Sequence, residues 1–155
     1  MSNSPGAGEG TFHAEGKGKK VYDLEERLLA FASAVIDLTE KLPHSRAGVH
    51  VVGQMLRSGT SPYPSHGEAE AAESREDFIH KLKVCLKELR ETQRWARLIH
   101  HQRWAPEDPT SLFVLSESAQ RTRLFFASIQ TAQNNALAQK RRSAGANCYP
   151  STEAG

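Results

Sequence analysis

Apolar residues recur along this chain at intervals of three and four and show no sustained strand-like alternation. Leu24, Leu28, Phe31, Val35, Leu38 and Leu42 step by 4, 3, 4, 3 and 4. That places them on one face and predicts a first helix over about residues 21–42. Pro43 ends it, because the residue before a proline avoids helical backbone. A second predicted helix covers about 46–74, with Ser45 as cap and Val49, Val52 and Leu56 as its apolar face. Gly59, Pro62 and Pro64 stop or kink it. Ser65-His66-Gly67-Glu68 has capping-box spacing, so a new turn is expected to start there. The third predicted helix covers about 75–103, capped by Ser74, with Glu76 and Asp77 in its first turn. Its seam is Phe78, Leu82, Cys85, Leu89, Thr92, Ala96 and Ile99. The fourth covers about 109–141. Asp108 caps it, Pro109 takes its first position, and Leu115, Thr122, Phe125, Ile129, Ala132 and Ala136 mark its buried face.

Short loops between long helices make neighbours antiparallel. The expectation is an all-α, up-down four-helix bundle with its second helix interrupted near Gly59–Pro64. The ends of the chain change the domain count. Residues 1–20 are rich in Gly, Ser and Lys, and residues 143–155 are similar. Neither stretch buries enough apolar surface to offset chain entropy, so both are expected to be disordered tails around a 21–142 bundle domain. No window has the roughly 18 or more apolar residues of a membrane span, and no signal-peptide core opens the chain. Cys85 and Cys148 make no disulfide framework, so a cytoplasmic location is the default expectation. The net charge of +2 decides nothing alone.

A lone bundle has one core, yet Leu29, Ile36, Ile79, Leu86, Trp95 and Leu98 fall off the main seams. Surplus apolar faces predict a second interface and an oligomer.

The clearest polar pattern lies on the third predicted helix. Lys83, Lys87, Arg90, Arg94 and Arg97 step by 4, 3, 4 and 3 and share the face opposite the seam. Only Glu91 sits at pairing distance along the helix. Lys140-Arg141-Arg142 and Lys17, Lys19 and Lys20 add positive charge elsewhere. One reading is a polyanion site contacting phosphates. The plainer reading is a solvated face, or one paired with a neighbouring subunit's acids. Glu68, Glu70, Glu73, Glu76 and Asp77 supply such acids against a single Arg75. In that case Trp95, Leu98 and Trp104 would dock a partner helix, and the protein would be an interaction scaffold without nucleic-acid binding. Arg57, beside the break, is expected to satisfy freed carbonyls, the alternative being that it lines a ligand surface.

No pattern points to chemistry. The histidines lack metal-ligand spacing, and His100 and His101 point about 100° apart on a helix. Cys85 sits in the seam as a small hydrophobe. The glycines at 6, 8 and 10 lie in the expected tail, not in a phosphate loop. No enzyme activity, metal or cofactor is expected.

Several segments carry a resemblance. They are Tyr22-Asp23-Leu24, Leu38-Thr39-Glu40-Lys41-Leu42-Pro43, Gln54-Met55-Leu56-Arg57-Ser58-Gly59-Thr60-Ser61-Pro62 and Gly67-Glu68-Ala69. Ser74-Arg75-Glu76-Asp77-Phe78-Ile79-His80-Lys81-Leu82 and Leu86-Lys87-Glu88-Leu89-Arg90-Glu91-Thr92 follow. In order and spacing they resemble the bacterial four-helix bundle family encoded in intervening sequences of large-subunit ribosomal RNA genes. Arg57, Ser58, Gly59 and Pro62 belong to its structural motif. The family is similar to the accessory subunit of diversity-generating retroelements. The resemblance implies a ring-shaped homopentamer with a basic surface, no catalysis, and RNA, DNA or a reverse-transcriptase-like protein as partner. The run Tyr63-Pro64-Ser65-His66 departs from the small residues common there.

Overall fold

The computed structural model describes residues 24–146. The expected tail at 1–20 lies outside them, as do residues 147–155 of the tail expected at 143–155, whereas residues 143–146 of that expected tail are helical and continue the last helix. Five helical segments make up the described chain, with no strand among them. They are α1 (Leu24–Thr39), α2 (Arg46–Thr60), α3 (Pro62–Glu70), α4 (Arg75–His101) and α5 (Pro109–Ala146). The α2–α3 pair is the interrupted second helix of a four-helix bundle. No described helix is long and apolar enough to cross a membrane.

Three caps form where the sequence places them. The Ser45 and Ser74 hydroxyls accept from the amides of Gly48 and Asp77, each at 3.1 Å. The Asp108 carboxylate accepts from the Ser111 amide at 3.1 Å. Each satisfies an amide that the first turn leaves without a partner.

The interruption is a kink rather than a loop. Ser61 keeps helical dihedrals (φ −57°, ψ −37°), and its amide donates to the Arg57 carbonyl at 3.3 Å. Pro62 then opens α3, where its missing N–H costs nothing. The new helix therefore starts at Pro62 and not at Ser65. Ser65 lies inside α3, its amide bonded to the Ser61 carbonyl at 3.2 Å, so the capping box does not form.

Contacts run in opposite order along packed helices. Between α1 and α5, Lys41 meets Asp108 while the Arg27 carbonyl meets Arg121. Between α2–α3 and α4, His50 meets Trp95, Ser58 meets Thr92, and the Pro62 carbonyl meets Cys85. The core between them holds Leu28, Phe31, Val35 and Leu38 of α1, Met55 of α2, Leu82, Cys85, Leu89 and Ile99 of α4, and Val114 and Phe125 of α5.

Two faces differ from their apolar pattern. On α2 the expected Val49 is exposed, and Val52 and Leu56 are half-buried. The buried face is Gly48, Val51, Met55, Ser58 and Gly59. On α5, Leu115 and Thr122 are half-buried, whereas Ser111, Val114, Ser118 and Arg121 join Phe125 and Ile129 inside. Close helix approach selected small side chains, and a paired arginine took a core position. Hydrophobicity alone reads neither. Of the surplus apolar residues, Leu86 is buried within the chain, and Ile79 and Trp95 pack half-buried on the core, as does Trp104. Leu29, Ile36 and Leu98 stay exposed. Beyond the bundle, α5 continues with every described side chain from Leu137 to Gly145 exposed.

Candidate nucleic-acid interface

Residues 57–62 fix the geometry of α4. Arg57 reaches across from α2 to two carboxylates, bonding Glu88 at 3.0 Å through Nη1 and Glu91 through Nη2. Its partners are side chains of α4, not the freed carbonyls of the kink, because the helical backbone at Ser61 leaves few carbonyls free. Ser58 is fully buried with its hydroxyl 3.0 Å from that of Thr92. Thr92 donates to the Glu88 carbonyl at 2.9 Å, so the Ser58 hydroxyl is the donor between the pair. Gly59 faces Val35 on α1 with no space for a side chain. Pro62 is buried, and its carbonyl faces the Cys85 thiol at 3.9 Å. Burial pushes that thiol up to about 11, which leaves it protonated and unreactive near neutral pH.

Glu91 is thereby taken from the basic row. Its carboxylate accepts from Arg57 and, at 3.3 Å, from Trp95 Nε1. The Arg57 hydrogen bond is the main reason its carboxyl is held below the usual range. Lys83, Lys87, Arg90, Arg94 and Arg97 all point to solvent from α4. None of the ion pairs among the described residues includes any of them. From Lys83 to Arg97 the row extends about 21 Å at the helical rise. Of the acids expected to face it from another subunit, Glu68, Glu70, Glu73 and Glu76 are exposed, while Asp77 pairs with Lys81 at 2.6 Å.

Beside the row lies an open groove of about 930 Å³ over α4 and α5. Lys83, Lys87, Arg90 and Arg94 line it, as do Leu86, Trp95 and Leu98. From α5 come Phe126, Ile129, Gln130 and Gln133. Arg94, Arg97 and Leu98 continue into a smaller hollow with His100 and His101. The α5 contribution is not evident in the seam pattern. Its one signal is the doublet Phe125-Phe126, since adjacent helical residues diverge by about 100° and both cannot face one core.

On the α1 side of the bundle, Arg121 is a buried cation. Its Nη2 lies 2.5 Å from Glu117 and 3.4 Å from the Arg27 carbonyl. Desolvation lowers its basicity. No group of three or more His, Cys, Asp or Glu among the described residues is arranged to hold a metal.

The profile of the 23S rRNA-intervening sequence proteins matches residues 21–121. The chain belongs to that family. It is also similar to a crystal structure of a protein of unknown function from the S23 ribosomal protein family of Bacteroides thetaiotaomicron. The two are 31% identical with a TM-score of 0.62, over 68% of this chain and 97% of the other. No curated protein matches the chain. The basic row and residues 57–62 lie inside the family match. Phe126, Gln130 and Gln133 lie beyond it, so part of the groove is built outside the segment that defines the family.

Proposed function

We propose that this protein is a non-enzymatic, oligomeric bundle that binds nucleic acid, or a nucleoprotein, through Lys83, Lys87, Arg90, Arg94 and Arg97. The supporting observation is the row itself, five exposed cations on one face, with Glu91, the acid at pairing distance along α4, hydrogen-bonded by Arg57. Such a face repels itself until an anion neutralises it. Its linear spacing suits a chain of phosphates, and binding of this kind releases counterions and carries little sequence readout. Membership in an rRNA-intervening sequence family agrees with a nucleic-acid partner. Self-association into a ring, a pentamer by resemblance, would use the exposed Leu29 and Ile36. A reverse-transcriptase-like partner, if bound, would meet the same basic face.

Fluorescence anisotropy with a structured RNA and a duplex DNA, at low and at physiological salt, tests the reading. Tight binding that weakens steeply with salt, and that is lost when the row is replaced by alanine, is expected. Unchanged binding by that variant removes the row from the site. Absence of binding at low salt transfers the row to the scaffold reading, with a second subunit's Glu68, Glu70, Glu73 and Glu76 as its counter-charge. Light scattering on the same sample gives the mass, expected near five times 17.1 kDa.

A further inference from the structure

We propose that the groove beside the cationic row receives the unpaired bases of single-stranded nucleic acid, with the backbone phosphates on Lys83, Lys87, Arg90 and Arg94. This inference rests on the nucleic-acid reading above and narrows it to a strand class.

A duplex keeps its bases stacked and offers this surface only phosphates. The groove is built for more than phosphates. Phe126 is 47% exposed and Leu98 37% exposed within it, an apolar cost that a phosphate ligand never relieves. Trp95, in the same groove, is held in place from two sides. Its Nε1 donates to Glu91, and His50 meets its ring edge-on at 6.1 Å and 75°. A ring fixed this way loses little freedom when a base contacts it. Gln130 and Gln133 add side-chain amides, each both donor and acceptor, which are the complements of base edges. The cations follow one another at about 4.5–6 Å along the helix axis. That is a continuous electrostatic track beside stacking surfaces, the combination that single-strand binders use. An acidic partner helix would also satisfy the cations and the apolar floor, but it has no need of paired amides beside aromatic rings.

The experiment compares a labelled oligodeoxythymidylate of about a dozen nucleotides, within the usual span of one such site, with a blunt duplex of equal length. The expected result is single-strand binding tighter by about fivefold or more, in line with one stacked base. Phe126→Ala, at an exposed position, should abolish that preference and leave duplex affinity unchanged. Gln130→Ala, which removes no apolar contact, should reduce the preference with helicity intact by circular dichroism. In a Trp104→Phe background, Trp95 is the remaining tryptophan, and its emission should be quenched by the single strand and not by the duplex. Equal affinities, or a preference indifferent to both substitutions, would overturn the proposal. If Arg90→Ala still weakened both ligands in that case, the broader nucleic-acid reading would stand. No binding of either ligand at low salt sinks both, and capture of an acidic helical peptide at the groove would then identify the occupant as protein.

Discussion

A β-carbon placed on Gly59 of α2 would lie 2.7 Å from Cγ1 of Val35 on α1 and 2.8 Å from its Cγ2. Val35 is fully buried, and a β-branched side chain on a helix has one strongly preferred rotamer, so it cannot turn aside. In an exposed helix, glycine to alanine stabilises by up to about 1 kcal/mol. Here overpacking wins. Gly59→Ala should destabilise the fold by about 1–3 kcal/mol in a denaturant titration. Val35→Ala should recover part of that loss in the double variant, a coupling expected of touching residues.

The buried hydroxyl pair should be non-additive in the same direction. Ser58→Ala leaves Thr92 short of a partner and should cost about 1–3 kcal/mol. Adding Thr92→Val removes both polar groups at similar volume, and the double variant should be closer to wild type than the sum of the singles. Strict additivity in chemical denaturation would show the two hydroxyls to be independent.

Acid should loosen two helix ties together. Asp108, 2.6 Å from the Lys41 ammonium, and Glu91, bonded to Arg57, both have carboxyls held below their ordinary values, chiefly by those hydrogen bonds. A depressed folded value means stability that is present above the unfolded carboxylate range, about pH 4, and lost as pH falls through the lower folded value. Thermal melts should therefore give a constant Tm from neutral pH to about 5 and a falling one below about 4. Asp108→Asn should flatten part of that fall. An unchanged acid limb in this variant would remove the Lys41–Asp108 tie from the account.

Arg121 tests a buried charge. At 2% exposure beside Glu117 it occupies a position a leucine would normally hold. Glu117→Ala strands the guanidinium and should cost about 3–5 kcal/mol. Arg121→Met combined with Glu117→Leu should be neutral or stabilising, since the desolvation of both ions disappears. Urea unfolding of the two variants, read side by side, separates the cost of a lone charge from the worth of the pair.

For ligand binding, the salt slope counts the cations in use. Five engaged cations predict a slope of log K against log salt of about −4.5 on duplex DNA, and the four along the groove predict about −2.8 on a single strand. Each alanine in the row should lower it by about 0.7–0.9. A slope that ignores Arg94→Ala would place Arg94 outside the contact.

Much of the helical order is legible in the sequence. Ser45, Ser74 and Asp108 cap where local hydrogen bonding dictates. The α1 and α4 seams are buried nearly as written, since three-four spacing alone sets a helix face. Residues 57–62 were recognisable as a motif but not as a mechanism. Arg57 appeared to need carbonyls when its partners were Glu88 and Glu91, thirty-one and thirty-four residues away. On α5 the pattern places Phe125 and Ile129 correctly and misses the polar part of the buried face for the same kind of reason. Ser111, Ser118 and Arg121 look like surface residues until a neighbouring helix or a paired acid makes them interior.

The sequence by itself determined the helices, the caps at Ser45, Ser74 and Asp108, an interruption near Gly59–Pro64 and the cationic row, because each depends on residues within a turn or two of one another. The tertiary structure alone decided which small residues face inward on α2, that Glu91 takes its hydrogen bonds from Arg57 and Trp95, and that Phe126, Gln130 and Gln133 of α5 border the cations of α4. Those relationships join residues far apart in the chain. Whether a charge is free or engaged is a property of three-dimensional neighbours, and a periodic pattern records only neighbours along one helix.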